Sequence, residues 1–151
     1  MLKTSVSIAN GHSLPRKSTN VFTNLKRSCD SNLELKMFHE YAGSIHCHSR
    51  YSDGSGTIAE IINKATSAKL DFVILTDHDT LAPLFDGYEA WHDELLLLVG
   101  QEISPKSGCH YLAFNLDKEI QGKERTDYQN LINEVNESGG FGFIAHPYGA
   151  K

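Results

Sequence analysis

The sequence predicts one α/β domain with largely parallel strand pairing, and three features of the chain lead to this expectation. Short, continuous apolar segments, of the kind buried on both faces of a sheet, recur after residue 40. Helical segments with one apolar face lie between some of them. The length, 151 residues, suits a single domain with its own hydrophobic core. Buried strands that alternate with helices are typical of α/β domains.

The apolar segments predict the strands in chain order. The first strand is short and covers residues 43–47, and a loop rich in Ser, Asp and Gly follows it. Further strands are predicted at residues 71–76, 95–99, 111–116 and 141–145. Polar or turn-forming residues bound each of them, as expected for strands of a compact domain.

Two amphipathic helices are predicted between these strands. Thr57 and Glu60 have the spacing of a capping box, and apolar residues recur at helical spacing behind them. Before the last strand, Thr126 and Gln129 have the same capping spacing, and the glycine pair at 139–140 ends the segment.

Residues 1–38 differ in composition from the rest and predict a separate extension. They are rich in Ser, Thr and Asn, and basic residues precede the first acidic residue, Asp30. Such a segment is typical of a disordered or targeting-like extension. The predicted domain therefore covers residues 39–151.

Composition and charge exclude several classes of protein. A formal net charge of -5 argues against nucleic acid as a partner, because such binding relies on basic residues. The longest apolar run, Leu95–Val99, is far too short to span a membrane. Cys29, Cys47 and Cys109 have neither disulfide-framework nor zinc-site spacing, so we expect free thiols and a cytoplasmic location.

Side chains that can bind metal follow the predicted strands. His46 and His48 lie at the end of the first strand, His78 follows the second, Glu102 the third and His146 the last. Taken singly, each of these has an ordinary explanation as a strand end, a turn or a helix cap. Functional residues of parallel α/β folds gather at the carboxyl ends of the strands, however, and all five lie there. The joint pattern predicts a metal site.

The donor types indicate which ions this site would hold. Imidazole and carboxylate without thiolate suit Zn²⁺ or Mn²⁺, with Fe as an alternative. Asp77 and Asp79 flank His78 and are expected to orient its ring. Asp79 is also our candidate catalytic residue. Arg50, within the loop after His48, is either a ligand for an anionic substrate or a solvated surface residue.

A short connection predicts how Glu102 and His110 meet. Residues 104–108 are too few for a parallel crossover, so the flanking segments should form an antiparallel hairpin. With the turn centred on Lys106, Glu102 and His110 would lie directly opposite each other on one face. Both side chains would then reach one ion.

The motifs resemble those of a known family. GSIHCHSRYSDG, DFVILTDHDT, GQEIS, CHYLAF and FIAHP occur in the order found in the PHP (polymerase and histidinol phosphatase) superfamily. EIS followed by HYLAF is similar to its carbaryl-hydrolase-like branch. The resemblance covers about residues 40–149 and implies an incomplete, distorted (β/α)7 TIM-like barrel that holds two to three divalent metal ions.

The resemblance also implies three ligand sets by motif position. His46 and His48 would bind the first ion with Glu102, Asp53 and His78 the second, and His110 and His146 a third that Glu102 bridges.

The implied function is that of a divalent-metal-dependent hydrolase. We expect a phosphoesterase that uses metal-activated hydroxide on a small-molecule phosphate ester or a related anionic substrate. The alternatives are a carbamate or ester hydrolase, and a metal-binding module or inactive fragment without turnover.

The family carries a later Asp-x-His motif, and the sequence ends at Lys151 before one occurs. We therefore expect the N-terminal part of a PHP domain, weak or absent catalysis by these residues alone, and self-association through an exposed sheet edge.

Overall fold

The computed structural model describes residues 39–106, 108–123 and 126–147. The elements are β1 (Gly43–Ser44), α1 (Ile58–Ser67), β2 (Phe72–His78), α2 (Ala82–Phe85), β3 (Ala90–His92), β4 (Leu95–Ile103), β5 (Tyr111–Phe114), α3 (Tyr128–Glu137) and β6 (Phe141–Ile144). The extension predicted for residues 1–38 lies outside the described residues. Within the described part of the chain, no helix is both long and apolar enough to cross a membrane.

The strands form one mixed sheet, which confirms an α/β fold but corrects the expected parallel pairing. The order is β1-β2-β4-β5-β6, with β3 also paired to β4. Among the described strands, parallel pairing is confined to β1–β2 and β2–β4, and the other pairs are antiparallel. The reversal at β5 follows from the short connection after β4, which cannot carry the chain back across the sheet.

One face of the sheet packs against the two longer helices. Ile58 and Ala65 of α1 are buried in a cluster that includes residues of β2 and β4, such as Leu75 and Leu97. Helix α3 adds Leu131 and Val135 to a second cluster that includes Val99, Ile103 and Ala113. Because side chains alternate along a strand, Glu102 points to the opposite face from Val99 and Ile103.

The N-cap of α1 is the predicted residue, whereas the N-cap of α3 is not. Thr57 and Glu60 form the predicted reciprocal capping box. At α3, the N-cap is Asp127 rather than Thr126, because its side chain accepts from the backbone N–H groups of Gln129 and Asn130. Thr and Asp are both good N-caps, so adjacent candidates are not separable by residue type.

The predicted β4–β5 hairpin is confirmed, but its register is not the expected one. Leu112, rather than His110, lies opposite Glu102. His110 precedes the first residue of β5, Tyr111, and is two residues from Leu112. Diagonal neighbours two residues apart share a face of the sheet, so the imidazole still reaches the carboxylate.

Strand β6 leads to a prediction about self-association. Among the described strands it is the last in the sheet order, and Phe143 and Ile144 are 44% and 46% exposed. A sheet edge with apolar side chains can pair with the same edge of a second copy, so we expect concentration-dependent dimerisation in sedimentation experiments. Ile144→Lys should weaken it, because charge on an edge strand opposes pairing. A stable monomer at all concentrations would contradict this expectation.

Candidate metal centre

Glu102 lies at the centre of a histidine cluster at the end of β4. Its side chain is only 1% exposed. Its Oε2 atom lies 2.8 Å from His46 Nε2, 2.9 Å from His48 Nε2 and 3.6 Å from His78 Nε2. Its Oε1 atom lies 2.9 Å from His110 Nδ1 and 3.0 Å from His146 Nε2. One buried carboxylate therefore faces five imidazoles.

The strand directions explain why residues so distant in sequence meet here. β2 and β4 are parallel, and their register sets His78 directly beside Glu102. β6 is antiparallel to β5, which is antiparallel to β4, so β6 ends on the same side as β4. His146 follows β6, whereas His110 precedes the oppositely directed β5. The carboxyl ends of β2, β4 and β6 and the start of β5 share one edge.

Three sets of side chains each place their donor atoms within 4.8 Å of one another. The sets are His46, His48 and Glu102; His48, Asp53 and His78; and His78, Glu102 and His110. The first contains the residues predicted for the first ion, and the second contains Asp53 and His78 as predicted. In the third, His78 accompanies Glu102 and His110, while His146 contacts Glu102 from beside it.

The surroundings of Glu102 keep it ionised. Burial alone would raise the pKa of this carboxyl group. Hydrogen bonds from His48 and His46, the charge of His46 and a hydrogen bond from His110 outweigh it and hold the pKa well below its usual range. The cluster is thus built around a fixed negative charge.

Four of the imidazoles around this charge belong to groups that could hold a metal ion. The hydrogen bond to Glu102 raises the pKa of His48 despite the opposing effect of burial, and the charges of Glu102, Asp53 and Asp77 raise it further. The Nε2 atoms of His46 and His48 are 2.9 Å apart, so two basic nitrogens converge beside one oxygen. Nitrogen and carboxylate oxygen converging without thiolate match the preferences of Zn²⁺ and Mn²⁺. The residues present therefore fit divalent ions.

The side chain of Asp77 holds the loop that carries His48. None of its described hydrogen bonds is to His78. It is 1% exposed and accepts hydrogen bonds from the backbone N–H and hydroxyl of Ser49, at 2.8 and 2.7 Å. Its Oδ1 atom also accepts from the hydroxyl of Ser52 at 2.6 Å. The expectation that Asp77 orients the ring of His78 is wrong, since alternation along β2 turns the two side chains to opposite faces.

Asp79 is linked to His78 through Ser104. Its Oδ1 atom accepts a hydrogen bond from the backbone N–H of Ser104 at 3.0 Å. The hydroxyl of Ser104 lies 2.8 Å from His78 Nδ1. Asp79 is outside the three metal-ligand sets, and its catalytic role stays a prediction.

Arg50 lies in the loop between His48 and Asp53. Its Nε donates to the carbonyl of Ser55 at 2.8 Å, and its backbone N–H donates to the carbonyl of Gly56 at 3.0 Å. The side chain is exposed. Its role as a substrate ligand stays a prediction.

Gly54 provides a test of how this loop positions the cluster. A Cβ atom at residue 54 would lie 2.2 Å from the carbonyl oxygen of His48 and 2.7 Å from the backbone nitrogen of Ser49. Because backbone atoms cannot move aside cheaply, we expect Gly54→Ala to cost about 1–3 kcal/mol of stability and to weaken metal binding. Denaturant unfolding and zinc titration measure both effects.

Gly56→Ala is the matched control for this variant. A Cβ atom at residue 56 would meet the side chain of Ile61 at 3.6 Å, an ordinary contact. We expect Gly56→Ala to change the free energy of unfolding by less than about 1 kcal/mol. Equal behaviour of the two variants would show that the tight packing at Gly54 does not matter.

Ser49, Ser52 and Ser104 were not identified from the sequence as parts of the site. Ser104 had a usable signal, since it stands two residues after Glu102 and so shares its face if the strand continues. For Ser49 and Ser52 no such signal exists, because their partner is the distant Asp77.

Comparisons with known proteins identify the family of this chain. A curated relative, a 5'-3' exoribonuclease from Haemophilus influenzae (strain ATCC 51907 / DSM 11121 / KW20 / Rd), is 33% identical over 78 residues. These residues cover 49% of this chain and 28% of that protein, so the chain spans less than a third of the relative.

A solved structure is also similar. It is a two-domain protein containing a predicted PHP-like metal-dependent phosphoesterase from Bacteroides vulgatus ATCC 8482. It matches with a TM-score of 0.47 and 24% identity, over 66% of this chain and 33% of that chain. The model of the PHP domain matches residues 44–150, which include every histidine of the cluster. This chain belongs to the PHP domain family.

Proposed function

We propose that this chain contributes the core of a divalent-metal-dependent phosphoesterase site. The observation that carries the proposal is Glu102, a buried carboxylate with nitrogen atoms of five histidines within 3.6 Å. Burying a charge is unfavourable unless the charge has a partner of opposite sign or a hydrogen bond. Five imidazoles are more partners than one buried carboxylate needs. Cation binding explains the excess.

The residues divide the work of such a site between them. Glu102 would hold ions close together through its two oxygen atoms, each of which faces different histidines. Asp53, whose side chain is 69% exposed, would complete a set on the open side of the cluster. Divalent ions bound there would lower the pKa of water and offset the negative charge that develops on a phosphoryl group.

The substrate we propose is a small-molecule phosphate ester or a related anion. An exposed cation, Arg50, is held by Ser55 in the loop that also carries His48 and Asp53. A guanidinium group fixed at Nε presents its remaining N–H groups in a planar array that suits phosphate oxygens.

A second candidate is hydrolysis of a phosphodiester in RNA. The 33% identity with a 5'-3' exoribonuclease over 78 residues favours it. The net charge of -5 argues against extended contacts with an RNA backbone, so a terminal nucleotide would be the form bound.

Hydrolysis of chromogenic substrates tests the proposal. The full chain, loaded with Zn²⁺ or Mn²⁺, is given 4-nitrophenyl phosphate, its bis(4-nitrophenyl) diester and 1-naphthyl N-methylcarbamate. We expect slow, metal-dependent release of 4-nitrophenol that a chelator abolishes. Preference for the diester would favour the RNA candidate.

Two other outcomes would replace the proposal. Turnover of the carbamate alone would assign the chain to carbamate or ester hydrolysis. Metal binding without turnover of any substrate would favour the alternative of a metal-binding module or inactive fragment.

A further inference from the structure

We propose that Ser104, held in place by Asp79, is a positioning residue that fixes the ring of His78 with Nε2 towards the metal-ligand carboxylates. The inference deepens the proposed metal site and rests on it. No ligand role is assigned to Ser104 itself.

Ser104 contacts the ring of His78 directly. The hydroxyl of Ser104 lies 2.8 Å from Nδ1, while Nε2 of the same ring lies 3.6 Å from Glu102 Oε2 and 3.6 Å from Asp53 Oδ2. A half-turn of the imidazole about its Cβ–Cγ bond exchanges the positions of Nδ1 and Cδ2, and of Nε2 and Cε1, so it would turn Nε2 away from the two carboxylates. A hydrogen-bond partner at Nδ1 opposes that rotation and leaves Nε2 for a metal ion.

Asp79 holds Ser104 in place through two hydrogen bonds, which we call the clamp. The backbone N–H of Asp79 donates to the carbonyl of Glu102 at 3.0 Å, and its carboxylate accepts from the N–H of Ser104 at 3.0 Å. Asp79 thereby ties the residue after β2 to the end of β4 on both sides of Ile103. Its φ of 52° lies in the left-handed region, which Asp tolerates better than most residues.

A backbone segment packs closely against this clamp. Gly122 is buried beside it, and a Cβ atom there would lie 2.9 Å from Asp79 Oδ1 and 2.8 Å from the nitrogen of Ser104. The segment before Gly122 is fixed by Gln101, whose side chain exchanges two hydrogen bonds with the backbone of Ile120. This packing partly shields the hydrogen bond between Asp79 and Ser104 and so strengthens it.

Zinc affinity of the full chain, measured by calorimetry, tests the inference. Ser104→Ala should bind zinc about 10- to 100-fold more weakly than the wild type, as found when partners of metal-binding histidines are removed. Ser104→Thr retains the hydroxyl and should restore most of the affinity. Ser67→Ala removes a serine hydroxyl whose described hydrogen bond is to the carbonyl of Asn63 within α1, and this protein should bind zinc normally.

Two further readouts separate positioning from a general loss of structure. The melting temperature of the metal-free Ser104→Ala protein should stay within about 3 °C of the wild type. In ¹⁵N spectra of the zinc-loaded wild type, His78 should carry its proton on Nδ1, and Ser104→Ala should broaden or shift that signal.

The clamp predicts non-additive effects of substitution. Asp79→Ala should lower zinc affinity because Ser104 loses its anchor, and Asp79→Ala with Ser104→Ala should be no worse than Ser104→Ala alone. Additive losses would show that Asp79 acts by another route and would overturn the clamp.

The failures of the two proposals are distinguishable. A wild type that takes up no zinc would overturn the metal site, and this inference with it. A wild type that binds zinc, together with a Ser104→Ala protein that binds it equally well, would overturn this inference alone.

Discussion

Glu102→Gln is expected to weaken metal binding by at least about 100-fold and to reduce metal-dependent turnover by about 100- to 1,000-fold. The substitution keeps the size of the side chain but removes a charge that faces five histidines. It also replaces one acceptor oxygen with an N–H donor, which would face imidazole nitrogens. Calorimetric titration with zinc and the 4-nitrophenyl phosphate assay measure the two losses.

Glu60→Gln is the matched control for this substitution. Glu60 belongs to the capping box of α1 and is exposed. Glutamine serves in the same position of a capping box, so we expect metal affinity and turnover to be unchanged. A Glu102→Gln protein that binds zinc as tightly as the Glu60→Gln protein would show that Glu102 is not a ligand.

Metal binding is expected to stabilise the protein more strongly as the pH rises from about 5.5 to about 8. In the metal-free protein, the lowered pKa of Glu102 gives stability that is present above its ordinary value of 4.5 and is lost as the pH falls through the folded-state pKa. The raised pKa of His48 gives stability that is complete below 6.5 and is lost as the pH rises through its folded-state value. These two groups therefore contribute most to the stability of the metal-free protein between pH 4.5 and pH 6.5, the ordinary pKa values of the two side chains.

Divalent ions require unprotonated imidazoles, so their contribution grows as that of protonated His48 declines. The difference in melting temperature between zinc-loaded and chelated protein should widen by roughly 5 °C or more over this range. In the metal-free state, His48→Gln should make the melting temperature depend less on pH. His92→Gln, which lies outside the cluster, should leave that dependence unchanged. A difference that is constant or larger at low pH would contradict the expectation.

The central strands were predictable from apolar runs alone. Residues 71–76 and 95–99 appear as β2 and β4, but both strands run further than their apolar segments. β4 continues through the polar Gln101 because the backbone of Ile120 satisfies its buried amide. That partner is 19 residues away, and no local pattern reveals it.

Short elements escaped prediction for a different reason. α2 covers only four residues and β3 only three, too few to show a periodicity. β3 forms because it pairs with the first residues of β4, and its Trp91 is 60% exposed. Pairing with the adjacent strand β4, rather than burial of its own side chains, determines this strand.

The candidate site was more predictable than the details of the sheet. Four of the five histidines that face Glu102, which are His46, His48, His78 and His146, were identified from their positions at the ends of apolar segments, because strand direction fixes where such ends meet. His110 precedes its strand and was identified from the short connection after Glu102. The contact of Glu102 with His110 was expected and occurs at 2.9 Å, although the register differs from the predicted one. Hydrogen-bond partners such as Ser104 depend on loop geometry, which spacing alone does not specify.

The metal content of the protein tests the central claim most directly. The full chain is purified without chelator, analysed by elemental mass spectrometry, and then titrated with Zn²⁺, Mn²⁺ and Fe²⁺. The arrangement around Glu102 predicts at least two ions per chain, with the Glu102→Gln protein retaining fewer. A wild-type protein that is empty on purification and stays empty after titration with all three ions would contradict it.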